Sequence, residues 1–234
     1  MTNNAKINAS RNTARIVGGL FLIAMITSLA GGIWLESIIN TPDYLNTVSE
    51  SETQVILGVL LEIINCLAVV GIAVTLYPVL KKNNQPTALG YIGFRIIEAV
   101  ILLFAAISPL LLITLSQEYL ATGESQASYF ETMGILLMDG RGLLTGLLTP
   151  IFFSIGALLL YYLFYRSKLV PRFISVWGFI AIVALFTWNM LEAFGYSISA
   201  GMVFGLPIIL NEIFLGIWLI VKGFNPSVAA TELA

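Results

Sequence analysis

The sequence contains no histidine, a single cysteine and few charges. Each shortage excludes a class of chemistry. Without histidine there is no common haem ligand, no favoured zinc ligand and no default general base. The one cysteine, Cys66, lies in an apolar run, so neither an internal disulfide nor a thiolate metal cluster is available. Charged residues make up 10% of the 234, against roughly 25% in soluble domains. No basic stripe with interleaved aromatics exists, and a net charge of −2 gives nucleic acid nothing to bind. There is no phosphate-cradling glycine loop, no His-Glu-x-x-His and no Gly-x-Ser-x-Gly elbow. Serine or metal proteolysis inside a membrane needs a histidine, and Asp139 is the sole candidate for an aspartyl dyad there. No metal and no cofactor is expected.

What the chain has is apolar length. It is 58% hydrophobic with a mean hydropathy of +0.93, the composition of an integral membrane protein. Residues 1–15 are polar and carry Lys6, Arg11 and Arg15. Ile16 to Leu35 then runs 20 residues without a charge, enough to cross a hydrocarbon core about 30 Å thick. Its length and its end at Trp34 argue for a retained span rather than a cleaved signal peptide. Ser28 and Gly32 have the small-xxx-small spacing that admits a close neighbour.

Glu36 to Thr53 reads as a polar loop, followed by a second span from about Gln54 to Leu80 with Glu62 and Asn65 on one face. Lys81 to Pro86 is a short basic loop, and Pro86 suits the first turn of the next helix. The third span, Thr87 to about Leu115, carries Arg95 and Glu98 and a kink near Pro109. Ser116 to Asp139 is acidic around an apolar Met133–Met138, which fits a loop, an interfacial helix or a re-entrant piece. The fourth span is expected from Gly140 to Tyr165, with Asp139 as its cap, Arg141 in its first turn and Gly142 and Gly146 at GxxxG spacing. The fifth, Phe173 to about Phe194, brings Asn189 and Glu192 near its far end. The sixth, Met202 to Val221, is kinked by Pro207 ahead of Asn211 and Glu212. The expected fold is therefore an all-α bundle of six transmembrane helices over residues 16–222, with a tail from 223 to 234.

Nine basic residues (Lys6, Arg11, Arg15, Lys81, Lys82, Arg166, Lys168, Arg172 and Lys222) fall on one side of that arrangement. The opposite loops have none, so both termini are expected in the cytoplasm. What remains at membrane depth is chemistry. A charge near the bilayer centre costs roughly 2.5–3.5 kcal/mol on insertion scales, so such charges turn inward and find partners. Arg95 and Glu98, three apart, share a helix face. Glu212 lies ten residues from Lys222, about 15 Å at 1.5 Å per residue, which is the midplane. Four carboxylates (Glu62, Glu98, Glu192 and Glu212) face two guanidiniums, Arg95 and Arg141, an acidic excess of two. The binding candidates are Glu62, Asn65, Arg95, Glu98, Asn211 and Glu212, with Arg141, Asn189 and Glu192 as weaker ones. Arg141 and Glu192 read more readily as interfacial residues than as site residues.

Leu76-Tyr-Pro-Val-Leu-Lys-Lys82, Ala88-Leu-Gly-Tyr-Ile-Gly-Phe-Arg-Ile-Ile-Glu-Ala99 and the closing run Pro207 to Phe224 resemble the multi-pass bacterial membrane family known as domain of unknown function 4386. The resemblance covers about Ala14 to Phe224 and implies a protein of the bacterial cytoplasmic membrane. It implies no activity and assigns no catalytic residue. Three functional expectations follow from the residues. The first is a small transporter or ligand-binding protein whose carboxylates take a cation, a proton or a cationic lipid head group. The second is a non-catalytic partner or assembly protein whose buried charges only fix helix packing. The third and weakest is a glutamate-dependent intramembrane enzyme. A cavity reaching Glu212 favours the first; a dry, fully paired core favours the second.

Overall fold

A computed structural model of the chain describes residues 3–122, 127–196 and 201–225. Those residues form nine α-helices, one π-helical turn and no strand. They run α1 Asn3–Ile39, α2 Tyr44–Glu50, α3 Glu52–Leu80, α4 Gln85–Ala105, α5 Ile107–Thr122, α6 Ala127–Leu143, the π-helical turn Leu144–Leu148, α7 Thr149–Ser167, α8 Arg172–Ala193 and α9 Gly201–Val221. Six helical stretches are long and apolar enough to cross a membrane: 10–39, 52–80, 85–122, 127–167, 172–193 and 203–221. Their outward faces carry large apolar side chains such as Ile33, 71% exposed, and Leu67, 69% exposed. So much exposed hydrocarbon suits a lipid solvent and not water.

Local chemistry sets the turns at the basic end. Asn84 caps α4, its side chain accepting the Thr87 N–H at 3.1 Å, and Pro86 occupies the first turn. Lys168, at a positive φ of 57°, ends α7, and Pro171 precedes α8. Gly223, at φ 76°, ends α9, where a left-handed residue is easiest for glycine. The Asn225 N–H then ties the end of α9 to the carbonyl of Leu169 at 2.8 Å. Between these turns lies the larger apolar core, with Leu76, Leu80, Tyr91, Tyr161, Phe164 and Leu219 all buried.

The opposite, far end differs from the sequence reading. Residues 36–53 are not a plain loop: α1 continues to Ile39 and α2 follows. Residues 116–139 are helical through Thr122 and again from Ala127; residues 123–126, and the tail beyond Asn225, lie outside the described residues. α2, α5 and α6 cap the far ends of α1 and α3 through a second core that includes Leu35, Ile39, Val48, Val59, Leu112 and Phe130. Polar pins hold the cap. Ser116 donates to the carbonyl of Leu45, Ser108 to Leu137 at 2.7 Å, and Tyr44 to Glu131 at 3.0 Å. Burial, helped by the charge of Glu131, pushes the Tyr44 phenol up, so it stays a donor. The acids that suggested a loop, Glu118 and Glu131, sit on the exposed face of these helices.

Three smaller expectations are also corrected. Asp139 is no cap, and Arg141 is not in a first turn, because α6 begins at Ala127 and carries both near its end. Gly32, Gly142 and Gly146 pack against nothing: a Cβ at any of them has no neighbour within 4 Å. The close approaches fall elsewhere. A Cβ at Gly18 would stand 2.5 Å from the carbonyl oxygen of Gly216, joining α1 to α9, and one at Gly178 would stand 2.2 Å from the Tyr161 ring, joining α8 to α7.

Candidate functional site: a cavity inside the bundle

The site grows from α4. The three-residue spacing of Arg95 and Glu98 stacks them on one face, and Arg95 Nη1 donates to Glu98 Oε2 at 2.8 Å. Both are only 4% exposed. Across from them, α7 makes room with Gly156, where a Cβ would stand 3.3 Å from Arg95 Cδ. One turn earlier on α7, Phe153 places its ring 5.3 Å from the guanidinium carbon, a cation–π distance. Arg95 Nε has no hydrogen-bond partner.

Beside this pair lies a cavity of about 330 Å³, within the roughly 300–1,000 Å³ of small-molecule sites. It is walled by α1, α3, α4, α7, α8 and α9. Arg95 and Glu98 line it together with Asn65, Asn189 and Glu212, so the bundle collects five of the sequence candidates at one place. The rest of the wall is mostly apolar and aromatic, including Phe21, Phe153, Trp188 and Ile208. The indole Nε1 of Trp188 is buried without a hydrogen bond. Asn189 is partly spent, its amide donating to the carbonyl of Leu185 at 2.9 Å. Glu212 makes no hydrogen bond and no ion pair to any described residue.

The other candidates lie elsewhere. Asn211 accepts from the Tyr161 hydroxyl at 2.7 Å and donates to the carbonyl of Ile174 at 3.0 Å. It is a clamp holding α9 to α7 and α8, since successive residues on a helix point in different directions. Glu62 does not join Arg95. It is bound by Arg141, which also donates to the carbonyl of Ala105 at 3.1 Å and approaches Glu36 at 3.5 Å. Arg141 is thus buried, at 4% exposure. Glu192 is exposed at the end of α8 and belongs to neither group. Phe153, Trp188 and Thr149 entered the site unannounced by the sequence. Among the described residues, no group of three or more acids and cysteines is placed to hold a metal ion.

Six apolar spans with lipid-facing surfaces and charges folded inward define a multi-pass α-helical membrane protein. The chain belongs to the family described as "Domain of unknown function (DUF4386)", which matches residues 16–223. No curated protein and no solved structure matches it.

Proposed function

We propose that the protein is a small transporter or ligand-binding membrane protein whose cavity takes a small cation at Glu212. One observation carries this reading. Arg95 is paired with Glu98, while Glu212 lines the same cavity and forms no ion pair with any described residue. A carboxylate withdrawn from water into an apolar site is costly unless it gains a counter-charge. A proton, a small cation or a cationic head group supplies one. The aromatic wall suits an organic cation, because Phe21, Phe153 and Trp188 offer both apolar area and π faces.

The assembly reading fits the other cluster better. Arg141 with Glu62 and Glu36 is a structural bolt between the cap and the bundle. In this proposal the protein lies in the bacterial cytoplasmic membrane. The distribution of basic residues supports cytoplasmic termini, with the cap outside.

The test is equilibrium binding of radiolabelled benzyltrimethylammonium to the full chain in phosphatidylcholine nanodiscs. Wild type should bind it, Glu212→Gln should lose binding, and Glu192→Gln, at an exposed position off the cavity, should keep it. Binding unchanged by Glu212→Gln contradicts the proposal.

A further inference from the structure

We propose that the cavity opens sideways into the bilayer between α1 and α9, and that its ligand is an amphiphilic amine. The ammonium would sit at Glu212 while the alkyl tail stays in lipid. This rests on the cation-binding reading of Glu212 and adds the route and the ligand class.

The argument starts where α1 and α9 touch. They run antiparallel and meet backbone to backbone at Gly18 and Gly216, where no side chain fits. Eleven residues toward the far end on each helix bring Leu29 and Gly205 to one level. Eleven residues is close to three turns, about 16 Å, so both return to the face that held the glycine contact. At this level there is room beside α9. A Cβ at Gly205 meets nothing within 4 Å, Leu29 is 39% exposed and Leu206 is 50% exposed. Leu29 and Gly205 both line the cavity. The same two helices are thus sealed at one level and open at the next, and the cavity lies behind the opening.

The surroundings fit a lateral mouth. Toward the basic end the bundle is filled by buried Ala14, Leu76, Leu80 and Leu219. At the far end, the cap of α2, α5 and α6 covers α1 and α3 with its own apolar core. The cavity wall on α1 and α9 is mostly apolar, with Met25, Leu29 and Ile209, and Ser28 as a polar neighbour. Glu212 is seven residues from Gly205, two turns along the same face and about 10 Å deeper. An apolar slot ending at an acid matches a cationic head with an apolar tail. The amine could be a membrane lipid or a free short-chain amine, and these are separable.

The experiment uses the full chain in phosphatidylcholine nanodiscs loaded with labelled benzyltrimethylammonium. Stearylamine, held in the bilayer by its tail, and butylamine, soluble and nearly tailless, are the competitors. Both should displace the label from wild type. In Gly205→Phe, whose ring takes the place of the alkyl tail beside α9 but leaves room for a tailless cation to pass, stearylamine should lose its effect while butylamine keeps it. Gly32→Phe, in open space on α1 but off the cavity wall, should behave as wild type and controls for the charge stearylamine adds to the disc. The lateral route is overturned if stearylamine displaces equally from wild type and Gly205→Phe, or from neither while butylamine competes. Failure of benzyltrimethylammonium to bind wild type overturns the cation reading of Glu212, and the lateral route with it.

Discussion

Arg141 donates to the carbonyl of Ala105 at 3.1 Å, and that carbonyl stands four residues before Pro109. Proline has no N–H, so the normal helical partner of Ala105 is missing and the helix breaks between α4 and α5. The guanidinium supplies the lost donor and at the same time holds Glu62 of α3. A break in one span, the junction of α6 with the π-helical turn in another and an acid of a third are therefore joined at a single buried cation. Arg141→Met should cost about 3–5 kcal/mol, the usual result of removing one partner of a buried pair. Arg141→Met with Glu62→Leu should recover part of that loss. Thermal denaturation in detergent checks both, and an unchanged midpoint in Arg141→Met contradicts the bolt.

Arg95 should behave similarly at the cavity, for a different reason. Its loss leaves Glu98 unpaired and removes the nearest cation from a wall that also holds Glu212. Arg95→Leu should destabilise by about 3–5 kcal/mol, and Arg95→Leu with Glu98→Leu by clearly less. A double variant as unstable as the single one would mean that Glu98 is not the principal partner.

Much of this arrangement is legible in the residues, and the failures share one cause. Hydropathy and length define the six spans, because a bilayer demands unbroken apolar helix. The Arg95–Glu98 pair is legible because both ends lie on one helix, where spacing fixes geometry. The partner of Glu62 is not, since Arg141 is 79 residues away and only the rotation of each helix about its axis decides the match. Asn211 lies off the cavity wall on the same ground: adjacency to Glu212 in sequence puts it on another face, against Tyr161 and Ile174. Residues 116–139 stay undecided in the sequence between loop, interfacial helix and re-entrant piece because Glu118 and Glu131 line only the exposed side of their helices, and acids on short amphipathic helices look like solvent-exposed coil.

Glycine positions give a prediction on helix packing. Gly18→Ala drives a methyl against the Gly216 backbone, which cannot rotate away, and overpacking of this kind costs typically about 1–3 kcal/mol. Gly32→Ala enters open space and should be neutral or gain up to about 1 kcal/mol from helix propensity. Parallel melting curves decide the point. Equal effects would place the α1–α9 contact elsewhere.

Orientation can be read by labelling. In a Cys66→Ala background, a cysteine at Glu50 in α2 should react with an impermeant maleimide applied outside intact cells. One at Asn83, in the basic loop, should react only after the membrane is opened. Both positions lie in described segments at opposite ends of the bundle. The reverse pattern would invert the protein in the membrane.

The central claim is that a cation occupies the cavity against Glu212, and anomalous scattering locates it. Crystals soaked in 4-bromobenzyltrimethylammonium should show a bromine peak inside the cavity bounded by Phe21, Phe153 and Trp188, with the ammonium density against the Glu212 carboxylate. The same soak of Glu212→Gln crystals should leave that position empty. A peak that persists in Glu212→Gln, or one found only beside Glu36 and Glu62, would contradict the account.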